Sequence, residues 1–410
     1  MHWPIMEPLS RRARPRRGNE GRRDHERGRR RDRPRDGFAG SVTRMAATAT
    51  RAQVLGFRVR AQQLDRESGN LASTAILDIG VQDTGPDGGR WALANRGVDV
   101  AGLPGNDLVL VWSVRGAPHW YLRAHLPSVA AAIHPASDAD AGKRIFDAAK
   151  PLQEAGVGNL AALEAVAEAM RAAVTRPMVK GEVSTEMTAR MSPPYLRFCR
   201  SCNTTHLYEL PFRLAALQAG LELQPDTSPP VLRPIPGFRR AARASSRHDV
   251  VRAYLRLLGP ATPKHVADYL DAPVREVRAR WPDETTEVTI EGEARWVLSP
   301  NAGQLDEPSP ATVRLLGPFD LFLQARDRRL LVPDAARAKA LWPVLGRPGA
   351  VLSGGEVAGL WRPRRSGKRL RVQWTPWVPL RASLRHAVDE QAERLAAYRG
   401  AALSDIDIVT

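Results

Sequence analysis

Three groups of side chains in this 410-residue chain carry reactive chemistry at spacings that matter. Gly80-Val81-Gln82-Asp83-Thr84 sets a carboxamide beside a carboxylate at the end of a predicted helix, where both project into a turn. Such a pair can orient a water and stabilise positive charge; Asp83 is equally an ordinary turn former. Arg115-Gly116-Ala117-Pro118-His119 brackets a tight turn with a guanidinium and an imidazole, beside Trp112, Trp120 and Tyr121. A plain hairpin with a solvent-facing His119 has the same spacing. Cys199-x-x-Cys202-x-x-x-His206, with Glu209 three residues on, matches the thiolate spacing of zinc sites. A closed structural site takes four ligands and only three of the preferred types are local, so buried structural thiols are the competing reading and no metal is assigned.

Other chemistries have no residues to carry them. There is no Gly-x-x-x-x-Gly-Lys-Ser/Thr phosphate loop, no Gly-x-Ser-x-Gly elbow and no His-Glu-x-x-His pair, which removes P-loop nucleotide hydrolysis and the common serine and zinc hydrolases. A composition of 43% hydrophobic and 26% charged residues is that of a folded chain. Its net charge of +17 is unevenly spread: 14 arginines and six acids before residue 45 give that segment +8, and the rest keeps +9. A basic body points to polyanions such as nucleic acid. Residues 1–44 form an Arg-rich tail too poor in apolar groups to order itself. It reads either as a DNA-grasping arm or as an extension upstream of a start at Met45. Two cysteines, no apolar run long enough for a bilayer and no signal-like segment make the reducing cytoplasm the expected location.

The elements that must hold these groups follow from periodicity and punctuation. Val54, Phe57, Ala61 and Leu64 recur at helical spacing from Ala47 onward, Asn70 can cap a helix to Ile79, and a third short helix covers 90–95. Leu108–Val114 and Trp120–Leu122 read as strands about the Gly-Ala-Pro-His turn. Helices are expected over 138–153, 159–174, 182–191 and 207–218, then a strand at 221–232 and a Pro-rich link. The clearest signal follows. A helix over 248–258 stops at Gly259-Pro260, Thr262 caps a helix over 263–270 with Pro263 in its first position, and a third runs from Pro273 to Trp281. Strands at 287–290 and 294–298 alternate about Glu291-Gly292-Glu293. That order is a winged helix-turn-helix, whose recognition helix carries Arg275, Arg278 and Arg280. The last hundred residues change period, with short strands at 313–316, 330–332, 350–353, 357–361 and 369–374 and a closing helix over 383–397. They predict a small barrel or curved sheet with a basic hairpin over 362–371 that includes Arg364, Arg365 and Lys368.

Five segments in order, GVQDT at 80–84, VRGAPHWY at 114–121, GPATPKHVADYL at 259–270, LLGPFDLFLQARDRR at 315–329 and GEVAGLWR at 355–362, resemble the AlkZ-like (YcaQ-related) winged-helix DNA glycosylases over residues 53–400. The resemblance implies a mainly α fold with small β elements, tandem winged helix-turn-helix motifs in a C-shaped arrangement and a β-rich C-terminal subdomain. In these terms the chain divides into the tail 1–44, a first winged-helix region 45–135 with the catalytic motif, a second at 136–240, a third at 241–300 and the β-rich part 301–410. The implied activity is hydrolysis of the N-glycosidic bond of N7-alkylpurines or bulky, crosslinked bases in duplex DNA, for repair or self-resistance. It needs no cofactor, and damaged double-stranded DNA is the partner of a monomer. Gln82, with Asp83 beside it, takes the catalytic position, Arg115 and His119 hold phosphate or lesion, and Arg275, Arg278, Arg364, Arg365 and Lys368 bind DNA. The family motif is Gln-x-Gln or Gln-x-Asp, and here Gly80 stands in the first position. Sliding one residue to use Asp83 leaves Val81 there instead. The alternative is a non-catalytic winged-helix DNA-binding protein.

Overall fold

The computed structural model describes residues 47–85 and 88–409, so the expectation for the tail at 1–44 lies outside the described residues. The first described element is not a helix but a two-residue strand, β1 (Ala47–Thr48), paired in parallel with a strand near residue 288. Thr50 then caps α1 (Arg51–Ala61) in a capping box with Gln53, which fixes the helix start four residues later than the apolar pattern implied. Asn70 Oδ1 accepts from the Ser73 N–H, as a cap would, but the expected helix is reduced to a 3₁₀ turn over Ala75–Asp78. The chain continues through β2 (Val81–Gln82), α2 (Gly88–Ala94), β3 (Leu108–Trp112), β4 (Pro118–Leu122) and α3 (Leu126–Ile133).

The helix expected over 138–153 is two, α4 (Asp138–Arg144) and α5 (Ala149–Glu154). Pro151 is the cause, since it lacks an N–H and its ring would meet the carbonyl of residue 147 in a continuous helix. Next come α6 (Asn159–Ala173), β5 (Met178–Val179), α7 (Lys180–Arg190), the hairpin β6 (Leu196–Cys199) and β7 (Thr204–Leu207), α8 (Glu209–Gln218), β8 (Leu221–Leu223) and β9 (Val231–Pro234). A six-stranded sheet in the order β2-β4-β3-β8-β9-β5 joins strands from either side of residue 135. Residues 250–298 match the punctuation: α9 (Val250–Leu258), α10 (Pro263–Leu270), α11 (Val274–Arg278) and a hairpin of β10 (Thr285–Ile290) and β11 (Glu293–Leu298). Thr262 caps α10 as expected.

The C-terminal part is an open five-stranded sheet, β12 (Val313–Leu316), β13 (Gly349–Ser353), β14 (Glu356–Ser366), β15 (Arg369–Pro376) and β16 (Ala402–Ile408), with α14 (Ala382–Tyr398) against it. The strand expected at 330–332 is instead the short helix α12 (Arg328–Leu331), followed by α13 (Ala335–Leu341); Leu330 and Leu331 are buried by a single turn that bonds back to Asp327.

Residues 315–329 clamp this part onto the N-terminal helices. Asp320 accepts two bonds from Arg96 at 2.8 and 2.9 Å, and neither side chain is exposed at all. Asp327 accepts two from Arg58 at 3.0 and 2.6 Å and one from Arg295 at 2.6 Å. The Trp91 indole N–H donates to the Leu315 carbonyl at 2.7 Å. These bonds tie α1, the end of α2 and β11 to the 315–329 segment.

Candidate functional site

Gln82 lies on the two-residue edge strand β2, directly opposite His119 of β4. Partners across an antiparallel pair point to the same face, so carboxamide and imidazole sit side by side. Both are buried, at 8% and 2% exposure. Gln82 Nε2 donates to Thr84 Oγ1 at 3.0 Å, which fixes the amide plane, while Oε1 is buried without a hydrogen-bond partner. An orphaned acceptor held in place is suited to accept a hydrogen bond from a bound water or a sugar hydroxyl. Asp83 is spoken for: its Oδ1 accepts from the Gly89 N–H at 2.7 Å at the start of α2. Burial pushes its carboxyl up, against the Gly89 N–H, the Trp120 indole and Arg90. Pro86 and Asp87, between Asp83 and Gly89 in the sequence, lie outside the described residues.

Gly80 bears directly on the missing first polar residue. Its φ of +97° is a left-handed conformation that suits glycine, and a β-carbon there would lie 2.4 Å from Tyr121 Oη. Tyr121 therefore occupies the space that a longer side chain at position 80 would need. Its hydroxyl lies 3.2 Å from the Ile79 carbonyl and 3.1 Å from Ser113 Oγ, which lies 2.9 Å from His119 Nδ1. Nδ1 also lies 2.9 Å from the Ala117 carbonyl, and a carbonyl only accepts, so Nδ1 carries the proton and Nε2 keeps its lone pair. Sequence reasoning missed Ser113 and named Tyr121 only as a neighbouring aromatic, although Tyr121 shares the face of His119 by period two.

The expected hairpin with a solvent-facing His119 is corrected here: the ring is inside the sheet, not in the turn. Burial, and secondarily Arg115, bring its pKa down to about 3. Arg115 likewise points inward. With φ of 58° it turns its guanidinium over the Tyr269 ring at 4.9 Å, donates to the Tyr269 carbonyl, and reaches Gln324 Oε1 at 3.3 Å. Burial and Arg326 lower its pKa to about 10, so it stays charged at neutral pH. Of the expected contacts with phosphate or lesion, phosphate does not suit a buried ring and a guanidinium already bonded to protein acceptors, while Arg115 still lines the neighbouring cavity.

The basic residues expected on the surface are there. Arg275 and Arg278 are exposed on α11, and Arg364, Arg365 and Lys368 are exposed on the β14–β15 hairpin. The two cysteines are not buried thiols: Cys202 is exposed, Cys199 is half-buried, and both lie with His206 on the β6–β7 hairpin. A cavity of about 490 Å³ lies beside the site, bounded by Ser113 and Arg115 on one side and by Arg144, Glu164 and Arg171 among others.

His119 makes stability depend on pH. Its native pKa lies below the unfolded value of about 6.5, so the unfolded chain takes the proton first, and stability present above that pH is lost as pH falls toward 3. We expect a loss of up to about 1.4 kcal/mol per pH unit from this group between pH ~6.5 and ~5. Urea unfolding of wild type and His119→Asn across that range checks it; parallel pH slopes in the two proteins would contradict it.

A profile of the AlkZ-like DNA glycosylase family matches residues 76–398, in agreement with the resemblance read from the motifs. The chain is 34% identical over 127 residues to an interstrand DNA cross-link repair glycosylase of Streptomyces sahachiroi, a match that takes in 27% of this chain and 33% of the relative. It thus spans about a third of that relative's length. Streptomyces sahachiroi DNA glycosylase AlkZ has a similar fold, with a TM-score of 0.68 at 22% identity over 88% of this chain and 100% of that one. Among the described residues, no helix is long and apolar enough to cross a membrane.

Proposed function

Because the chain belongs to the AlkZ-like DNA glycosylase family, we propose that it hydrolyses the N-glycosidic bond of N7-alkylated purines, including bulky or crosslinked ones, in duplex DNA. In this reading three winged-helix regions, 45–135, 136–240 and 241–300, form a C-shaped basic surface with the β-rich 301–410. The protein acts as a cytoplasmic monomer on damaged duplex, in repair or self-resistance.

The observation that supports catalysis best is the buried, unpartnered Gln82 Oε1 beside a neutral His119. An N7-alkylpurine is already cationic and departs without strong acid help, so the site's task is to orient water and stabilise an oxocarbenium-like sugar. Gln82 Oε1 accepts a hydrogen bond from the attacking water and orients it. The Asp83 carboxylate, next in sequence, adds negative charge near the developing cation. His119 resists taking a proton, Tyr121 resists giving one up, and both are too enclosed to serve as acids; they hold the floor on which Gln82 rests. The test compares lesions. N7-methylguanine should be released, while a neutral lesion such as uracil in the same duplex context should not, and equal release of both would overturn this mechanism.

One observation favours the second reading, a non-catalytic DNA-binding protein: Gly80 stands where the family motif has a polar side chain. Binding itself is expected to rest on phosphate contacts from Arg275, Arg278, Arg364, Arg365 and Lys368, which position DNA without reading sequence. Arg364→Ala with Arg365→Ala should weaken binding to damaged and undamaged duplex alike, and lower the slope of log affinity against log salt by about 1 for each phosphate no longer neutralised. Mobility-shift titrations at several salt concentrations check this; weakening confined to lesion-bearing DNA would assign the hairpin a different role.

A further inference from the structure

We propose that Cys199, Cys202 and His206 bind one zinc ion at the tip of the β6–β7 hairpin. Their ligand atoms all lie within 4.8 Å of one another. Tetrahedral zinc, with bonds of about 2.3 Å to sulfur and 2.0–2.1 Å to nitrogen, places ligand atoms roughly 3.5–3.8 Å apart, so closure needs only a small movement of the exposed Cys202 and the half-buried Cys199 and His206. The two cysteines are the only ones in the chain, and both stand at this turn.

The second observation is the state of the imidazole. His206 Nδ1 lies 2.7 Å from the Leu207 carbonyl, which can only accept, so Nδ1 carries the proton and Nε2 presents its lone pair. A carbonyl holding the far nitrogen of a ligating ring is the usual support behind a zinc-bound histidine. The turn fits as well. Asn203 takes a left-handed φ of 50° between the second cysteine and β7, and Ser201 Oγ sits 3.1 Å from Cys199 Sγ.

The hairpin has a use for such a clasp. Its strands bury little, Phe198 is 61% exposed, and an isolated two-stranded ribbon is marginal in water. Zinc would fix the tip and the Arg197 and Arg200 side chains beside it, with solvent as the fourth ligand. A rival cluster, Asp78, His125 and His248, has ligand atoms equally close, but Asp78 is engaged by Arg247 at 2.7 Å and Arg256 at 3.1 Å, whose charges oppose a cation.

The full chain, purified without a polyhistidine tag under reducing conditions, is loaded with zinc, passed over a desalting column and measured for metal. About one zinc per chain is expected, with retention falling more than ~10-fold in Cys199→Ser/Cys202→Ser and substantially in His206→Gln, and unchanged in His248→Asn. Should the double variant fail to fold, cobalt(II) added to the wild-type chain decides: a thiolate-to-cobalt charge-transfer band supports the site, and its absence overturns it. Zinc retention abolished in His248→Asn but kept in the cysteine variant, or no retained zinc in the wild type, overturns the assignment.

Discussion

Gln82→Ala is expected to lower base release from alkylated duplex DNA by at least ~10²–10³-fold while binding that duplex as the wild type does, because removing one preorganised group aimed at developing charge or at the attacking water costs about that much. The side chain touches no other described residue through its Oε1, and its Nε2 partner, Thr84, lies two residues away, so truncation leaves the sheet intact. Asp83→Ala differs in kind. It removes the acceptor of the Gly89 N–H as well as a charge, so it should lower stability along with rate. Single-turnover release measured together with binding separates the two. A Gln82→Ala protein that cleaves at the wild-type rate beside an inert, folded Asp83→Ala would move the water-orienting role one residue on.

Asp327→Ala is expected to cost about 3–5 kcal/mol, a large part of the ~5–15 kcal/mol that holds a domain together. The carboxylate is 4% exposed and joins Arg58, 1% exposed, to Arg295, 6% exposed. Burial pushes its carboxyl up, but Arg58, His265 and Arg295 reverse this and hold it below the usual range. Removing it leaves two buried guanidiniums facing each other. Glu154→Ala is the contrasting change: its pair with Lys150, 3.7 Å apart with both side chains mostly in water, should be worth under ~1 kcal/mol. Urea midpoints compare the two; similar small shifts would mean that the 315–329 segment does not clamp the N-terminal helices.

That clamp explains what the sequence could and could not convey. The segment 250–298 was legible because each boundary carries its own marker: Thr262 and Pro263 start α10, and Glu291-Gly292 turns the hairpin. Local chemistry decides such places. Arg115 and His119 were misplaced because their burial comes from afar, from Tyr269 and Gln324 for one and from the neighbouring strands and Ser113 for the other. Nor does any local pattern mark Arg96 and Arg58 as partners of carboxylates more than 200 residues away. The last strand, β16, was invisible because an irregularity in its pairing near Leu370 and Arg371 interrupts the alternation of Leu403, Ile406 and Ile408. Gln82 itself was found through family likeness; its period alone marks only a turn.

On the proposed reading this site cleaves damaged DNA rather than merely holding it. The most direct measurement is a single-turnover incubation of excess wild-type protein with duplex carrying one N7-methylguanine, counting free base and alkali-labile abasic sites in the same sample. Equal yields of the two are expected, approaching one per duplex and absent with unmodified guanine. Saturated binding with neither product, on this or any other alkylated duplex, would contradict cleavage and leave a DNA-binding protein.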